Sequence, residues 1–445
     1  MTLDTFELLL APAGQSALAA ATALAPTDST YLQAMTGLRK QFSPQLAAIA
    51  LETVILRGKA AGKFRLAARM YFTREALEVA SGEVIAAYRA ERFRGYGAVG
   101  DFGCGIGGDT LALAADGRTV EAVDNDPVRV RMAEANAAAC GLADRVRVRH
   151  ANLLDDPLPD VPAAFADPGR RADGRRFLSI DDYLPPPASL VKLLPRSKYP
   201  IAFKLAPGVN RDEVTPFGGE LEFVSVDGEL KESVLWCGEL RTNFRRATLL
   251  SGRPHPPAPS PSRRGGVQGG DGIGGAPNGT PSSQSPQNPL RDGEGGTRSV
   301  PGEVQLIRHT YAADTLILPD VARPVGAFLF DPAGALVRAE LEGNLAAELG
   351  LRPITAGQAV FTGDGPVSSP FLTAYRVEAV LPLDAKRVNA HLTANGIGRI
   401  TVVQCGSGVD ADGISRKCKG KGAGHRFVVL TKELGRPVAV VAERT

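Results

Sequence analysis

"VGDFGCGIGGDT", residues 99–110, decides how the rest of the chain is read. Its glycines satisfy two spacings at once. Gly103, Gly105 and Gly108 spell G-x-G-x-x-G, the dinucleotide loop that follows the first strand of a doubly wound sheet. Asp101, Gly103, Gly105 and Gly107 spell D-x-G-x-G-x-G, with a carboxylate two residues before the first glycine. Glycines after a strand let the backbone come close to a ligand, and the helix that follows favours anionic groups at its N-terminus. Both spacings use that physics, so the glycines alone do not choose. Asp101 does. A dinucleotide loop places an apolar strand residue there, whereas a carboxylate suits an ammonium and repels a pyrophosphate.

Working outward, strand-like and helix-like segments alternate from about 97 to 250. Ala98 to Phe102, "TVEAV" (119–123), "RVRVRH" (145–150), "PAAFA" (162–166) and "YPIAFKL" (199–205) read as strands. Strands separated by helices predict a parallel, doubly wound sheet. The series ends in two strand-like runs joined by Asp227-Gly228, a hairpin signal that predicts an antiparallel last strand. That hairpin also argues against the dinucleotide reading. Asp124 ends its strand where a carboxylate accepts hydrogen bonds from ribose hydroxyls, in either cofactor class. Asp126 before Pro127 reads as a helix cap, and Asn152 reads equally as an adenine contact or a turn residue.

Residues 1–95 read as a helical domain, rich in Ala, Leu, Arg and Glu. Residues 251–300 are a Pro/Gly/Ser-rich insert without an aromatic residue, a composition that does not offset ordering entropy. Residues 301–445 form a smaller α/β domain. Two basic runs contain no acid: Arg57, Lys59, Lys63, Arg65, Arg69 and Arg74, and then Arg416, Lys417, Lys419, Lys421 and Arg426. Each is either a solvated face or a phosphate-facing surface. The net charge of +3 announces no overall field. Five cysteines without C-x-x-C spacing point to reduced thiols, and the five histidines show no metal-ligand spacing, so no metal is expected. No basic leader precedes "FELLLAPAG" and no apolar run approaches membrane-spanning length, which places the protein in the cytoplasm without membrane partners.

"DFGCGIGGD", "VEAVDNDP", "AEANAAACGL" and "HANLLDD" follow one another as the successive motifs of the class I S-adenosylmethionine-dependent methyltransferases do, and residues 96–250 resemble that family's domain. The resemblance implies a Rossmann-like seven-stranded sheet with an antiparallel last strand. It implies S-adenosyl-L-methionine as cofactor, held by Asp101, Gly103, Gly105, Gly107, Asp109, Asp124, Asn125 and Asn152. "SGEVIAAYRA" (81–90) and "GIGGD" are similar to the bacterial relatives of RNA-cap trimethylguanosine synthase. "NGIGRITVVQCGSGVDADGISRKCKGKG" resembles the THUMP-like domain that accompanies such enzymes, although Cys405-Gly406 stands where an Arg-Gly pair is expected. Together these imply RNA (tRNA or rRNA) as substrate.

Asp167-Pro168-Gly169-Arg170-Arg171 falls at the family's reactive position, after the fourth strand. Amine methylases carry Asp/Asn/Ser-Pro-Pro-aromatic there, and this chain departs at Gly169 and Arg170. The resemblance gives Asp167 and Pro168 the role of orienting a base amine such as guanine N2. Arg170 and Arg171 are expected to bind the base or its phosphate. Lys204, at the end of the next strand, either points into the same cleft or is a surface lysine with a buried stem. Two other readings stay open: a methyltransferase of a small molecule or protein, and an RNA-binding fold without catalysis.

Overall fold

The strand-like runs from Ala98 onward pair into one sheet, in a computed structural model that describes residues 1–172, 175–176, 179–194, 199–252, 307–317, 321–405 and 411–445. The strands are β1 (Ala98–Phe102), β2 (Thr119–Asp124), β3 (Val146–His150), β4 (Ala164–Ala166), β5 (Ile201–Leu205), β6 (Glu220–Val226), β7 (Glu229–Cys237), β8 (Arg245–Ser251) and β9 (Ile307–Ala313). Their order is β9-β8-β6-β7-β5-β4-β1-β2-β3. From β1 to β5 all neighbours are parallel, and β7 runs antiparallel to both β5 and β6. The hairpin turns at Asp227 and Gly228, both with positive φ, as the Asp-Gly pair predicts.

The sheet has nine strands, not the seven expected. β8 runs parallel to β6, and β9 closes the edge antiparallel to β8, with Ser251 opposite Ile307. β9 therefore belongs to this sheet, although its sequence position suggests the C-terminal domain. The greater part of the Pro/Gly/Ser-rich insert, residues 253–300, lies outside the described residues. Its flanks leave and re-enter the fold through paired strands, an arrangement in which added loop length costs little.

The N-terminal region is helical: Leu3–Leu10, Pro12–Ala23, Tyr31–Leu38, Pro44–Ala60, Arg74–Val79 and Glu83–Glu91. Ser43 accepts from Leu46 N ahead of Pro44, a side-chain cap with proline in the first turn. Phe6, Leu56, Phe64 and Tyr71 share one core cluster with Ile106 of the glycine loop and Met132 of helix Pro127–Ala139. Asn136, fully buried, makes the junction specific. It accepts from Tyr71 N at 2.7 Å and donates to the carbonyls of Tyr71 and Ile106.

The C-terminal unit has a seven-stranded sheet of its own. Leu336, Leu341 and Leu345 share a core cluster with Phe203, Leu221 and Phe223 of the first sheet. Arg338 donates to the Val209 carbonyl at 2.8 Å. Among the described residues, no helix is long and apolar enough to cross a membrane.

Candidate active site

β1 ends at a cavity of about 940 Å³, large enough for a cofactor together with the part of an acceptor that reacts. Asp101 is 1% exposed. Its Oδ2 accepts from Thr110 Oγ1, and its Oδ1 is buried without a partner among the described residues. Burial pushes this carboxyl up to about 8, with Asp109 and then Asp167 adding repulsion against the opposing pull of Thr110 and Arg89. The loop turns at Gly103 with φ +85, where a Cβ would lie 2.6 Å from the Asp167 carbonyl, so only glycine lets the two loops cross. Asp124 braces the turn. Its Oδ2 accepts from Gly105 N at 2.8 Å and its Oδ1 from Asp126 N at 3.0 Å. Asp126 caps the following helix through Val128 N and Arg129 N, as predicted.

The sequence-predicted residues do not all meet. Asp101, Gly103, Gly105 and Asp109 line the cavity together with Asp167, Pro168 and Arg170. Gly107 starts the next helix from a left-handed conformation and, like Asp124, lies behind the wall. Asn125 is exposed, and its carbonyl meets His150 Nε2 at 3.0 Å. Asn152 is committed to its own turn: Oδ1 accepts from Leu154 N and Nδ2 donates to Asp155. Arg171 contributes backbone to a two-strand ribbon with Arg176, and its side chain lies outside the described residues.

On the acceptor side, Asp167 Oδ2 pairs with Lys204 Nζ at 2.7 Å, and Lys204 also donates to Ser81 Oγ at 3.1 Å. Lys204 is 4% exposed, which decides its direction: it points into the cleft. Gly169 pairs through both backbone groups with Leu184. Arg170 lines the cavity with a buried guanidinium nitrogen that has no partner among the described residues. Sequence reading missed two residues here, Arg89 behind the wall and Glu232 in it. Arg89, from helix Glu83–Glu91, donates to Asp109 at 3.0 Å through Nε and to Glu232 of β7 through its other arm. Their only signal was a charge inside an apolar run, "VIAAYRA" and "ESVLW".

Two curated relatives, from the CDC 1551 and H37Rv strains of Mycobacterium tuberculosis, are described as uncharacterised S-adenosylmethionine-dependent methyltransferases. Each is 30% identical over 394 residues, spanning 86% of this chain and 92% of the relative. The chain belongs to the S-adenosylmethionine-dependent methyltransferases. A crystal structure described as a methyltransferase from Porphyromonas gingivalis W83 has the same fold, with a TM-score of 0.64 at 14% identity, over 94% of this chain and 99% of that one. The THUMP domain-like family matches residues 372–444, and a domain of unknown function, DUF8688, matches residues 2–60.

The methyltransferase uses S-adenosylmethionine, and two features of the cavity fit that cofactor. The unpartnered Asp101 Oδ1 asks for a hydrogen-bond donor, and an amino-acid ammonium supplies one with the opposite charge. The crossing at Gly103 leaves backbone, not side chain, against the cavity. The segment 61–85 forms the opposite wall, and most of the first basic run is consumed in building it. Lys63 donates to the carbonyls of Leu77, Glu78 and Ala80, and Arg57 to those of Met70 and Arg69. Lys59, Arg65 and Arg74 pair with Asp28, Glu83 and Glu52.

Proposed function

We propose that this methyltransferase modifies RNA, placing a methyl group on an exocyclic base amine such as guanine N2. The observation that carries the reading is Asp167. One oxygen is held by Lys204, and the other has no partner among the described residues, in a cavity that Asp101 lines from the neighbouring strand. When bound, S-adenosylmethionine supplies a methyl on a positively charged sulfur and leaves as a neutral thioether. Asp101 would receive its ammonium, Gly103 and Gly105 would let its chain approach the backbone, and Asp124 would hold the Gly105 turn in place from behind the wall. Asp167 Oδ1 accepts an N–H of the amine. Leu184 N occupies the Gly169 carbonyl at 2.9 Å, which leaves the Pro168 carbonyl as the second acceptor. Arg170 satisfies its free nitrogen on the base or its phosphate. Catalysis is then chiefly positioning of two reactants.

RNA is supported by the THUMP domain-like match and by the three exposed lysines of the second basic run. The cavity wall carries nine carboxylate residues against five cationic ones. That balance keeps a phosphate backbone at the rim and admits a base. It also favours the second reading, an amine-bearing small molecule or protein, over any acceptor whose phosphate must enter.

The test is transfer of labelled methyl into RNA from cells lacking the protein, followed by mapping of the modified nucleotide. Asp167→Ala is expected to lower transfer by at least about a hundredfold (roughly 3 kcal/mol) while leaving cofactor binding intact. Label that enters small molecules or protein but not RNA overturns the reading. The cofactor half has its own check. Ammonium binding ionises Asp101 and expels its proton, so affinity should rise as pH is raised from about 6 to about 8. Calorimetry in two buffers of different ionisation enthalpy reads the released proton. An affinity indifferent to pH over that range removes Asp101 from the ammonium site.

A further inference from the structure

Four carboxyl groups and two cations cluster at the cavity wall, and their pairing is uneven. Arg89 spans Asp109 and Glu232. Lys204 takes Asp167. Asp101 contacts no cation among the described residues and has only the Thr110 hydroxyl. Two acids thus face one cavity in different electrostatic states. Asp101 has no contacting cation among the described residues, and Asp167 is already neutralised by a buried ammonium.

We propose that Lys204 is the positioning residue that makes Asp167 a receptor for an uncharged N–H donor. The site thereby selects a neutral amine, of the kind found on a nucleobase, over a protonated alkyl amine. The inference rests on the amine reading above and narrows it. A carboxylate without Lys204 would attract any cation into the acceptor position. With Lys204 bound to Oδ2, a second cation on Oδ1 meets the ammonium across a single carboxyl group. A neutral N–H meets no such repulsion and still makes a charge-assisted hydrogen bond. The geometry is held from three sides. β5 places Lys204, Ser81 fixes the ammonium at 3.1 Å, and Asp167 N is tied to the Phe102 carbonyl at 2.9 Å.

Other charges face this pair from the elements packed around it. Asp101 from β1 feels Asp167 and Asp109, Glu232 from β7 feels Lys204, and Lys63 from the opposite wall is pushed down in pKa first by burial and then by Lys204. Arg170 stands beside Asp167 in its own loop. Removing the Lys204 charge therefore leaves Asp167 beside other carboxylates with its close counter-charge gone, a setting that favours the protonated form.

The experiment compares full-length wild type, Lys204→Gln, Lys204→Arg and the double variant Lys204→Gln/Asp167→Asn on one labelled acceptor from pH 6 to pH 9. For Lys204→Gln we expect cofactor binding within about threefold of wild type, and transfer at least about thirtyfold slower at pH 6, recovering as pH rises. Arginine, which keeps the charge, should restore tenfold or more. The double variant, with a neutral side-chain oxygen as acceptor, should exceed Lys204→Gln at pH 6. A deficit independent of pH, or an arginine variant no better than glutamine, overturns the proposal. An infrared carboxyl band that appears at pH 6 in Lys204→Gln and is lost on adding Asp167→Asn reads the same pairing without any acceptor, and its absence also overturns the proposal. If wild type methylates no RNA, the functional reading fails, while the infrared comparison still decides the role of Lys204.

Discussion

Between Arg57 and Arg74 the chain carries six cations and no acid; between Arg416 and Arg426 it carries five and again no acid. In the first run Lys63 caps the helix Arg74–Val79 from a half-buried position, Arg57 lies on the Tyr71 ring, and three others are in ion pairs. Only Arg69 is exposed with no contact to a carboxylate among the described residues. In the second run Arg426 forks onto Glu378 at 2.8 Å, while Lys417, Lys419 and Lys421 are exposed and contact no carboxylate among the described residues. An acid-free run thus says nothing about where its counter-charges lie. The first finds them in helix carbonyls and in acids before and after it in the chain. The second is lifted clear by a glycine crossing. A Cβ at Gly398 or Gly422 would fall 2.0 Å from the facing carbonyl, so the two segments touch backbone to backbone and leave the lysines outside.

The most severe challenge to this contrast is Lys63→Met. Loss of its three carbonyl contacts should lower unfolding free energy by about 2 kcal/mol in urea titrations and weaken cofactor binding by distorting the wall. An unchanged midpoint would mean that Lys63 contributes no more to the fold than the exposed lysines of the second run. Next in size is the joint change of Lys417, Lys419 and Lys421 to alanine. It should leave the melting temperature in place, weaken RNA binding about tenfold and flatten the slope of log affinity against log salt by about 2. Stability loss without a change in salt slope would reverse the assignment of the two runs. Arg69→Ala should give the smallest effect, within about 0.5 kcal/mol of wild type.

Much of the methyltransferase domain was legible because its signals are local. The strand before the glycines, the cap at Asp126 and the Asp-Gly hairpin each lie within a few residues, where propensity and backbone geometry act directly. The extra strands were not legible. β8 and β9 pair across residues 252–306, and nothing in either run names its partner. The same holds for the reactive pair. Asp167 was visible as the first residue after a strand, but its cation is 37 residues away, and Arg89 reaches Glu232 across 143 residues.

Local signals in the chain were therefore enough for the cofactor class, through Asp101 and the spacing of its glycines, and for the parallel sheet with its terminal hairpin. Tertiary structure alone decided which carboxylate keeps a counter-ion, which basic run presents exposed lysines without a carboxylate contact among the described residues, and that the sheet has nine strands. The physical reason is range. Backbone propensity is set by neighbours in the chain, whereas the state of a buried charge depends on whatever the fold brings within a few ångströms, and on how little water is left there.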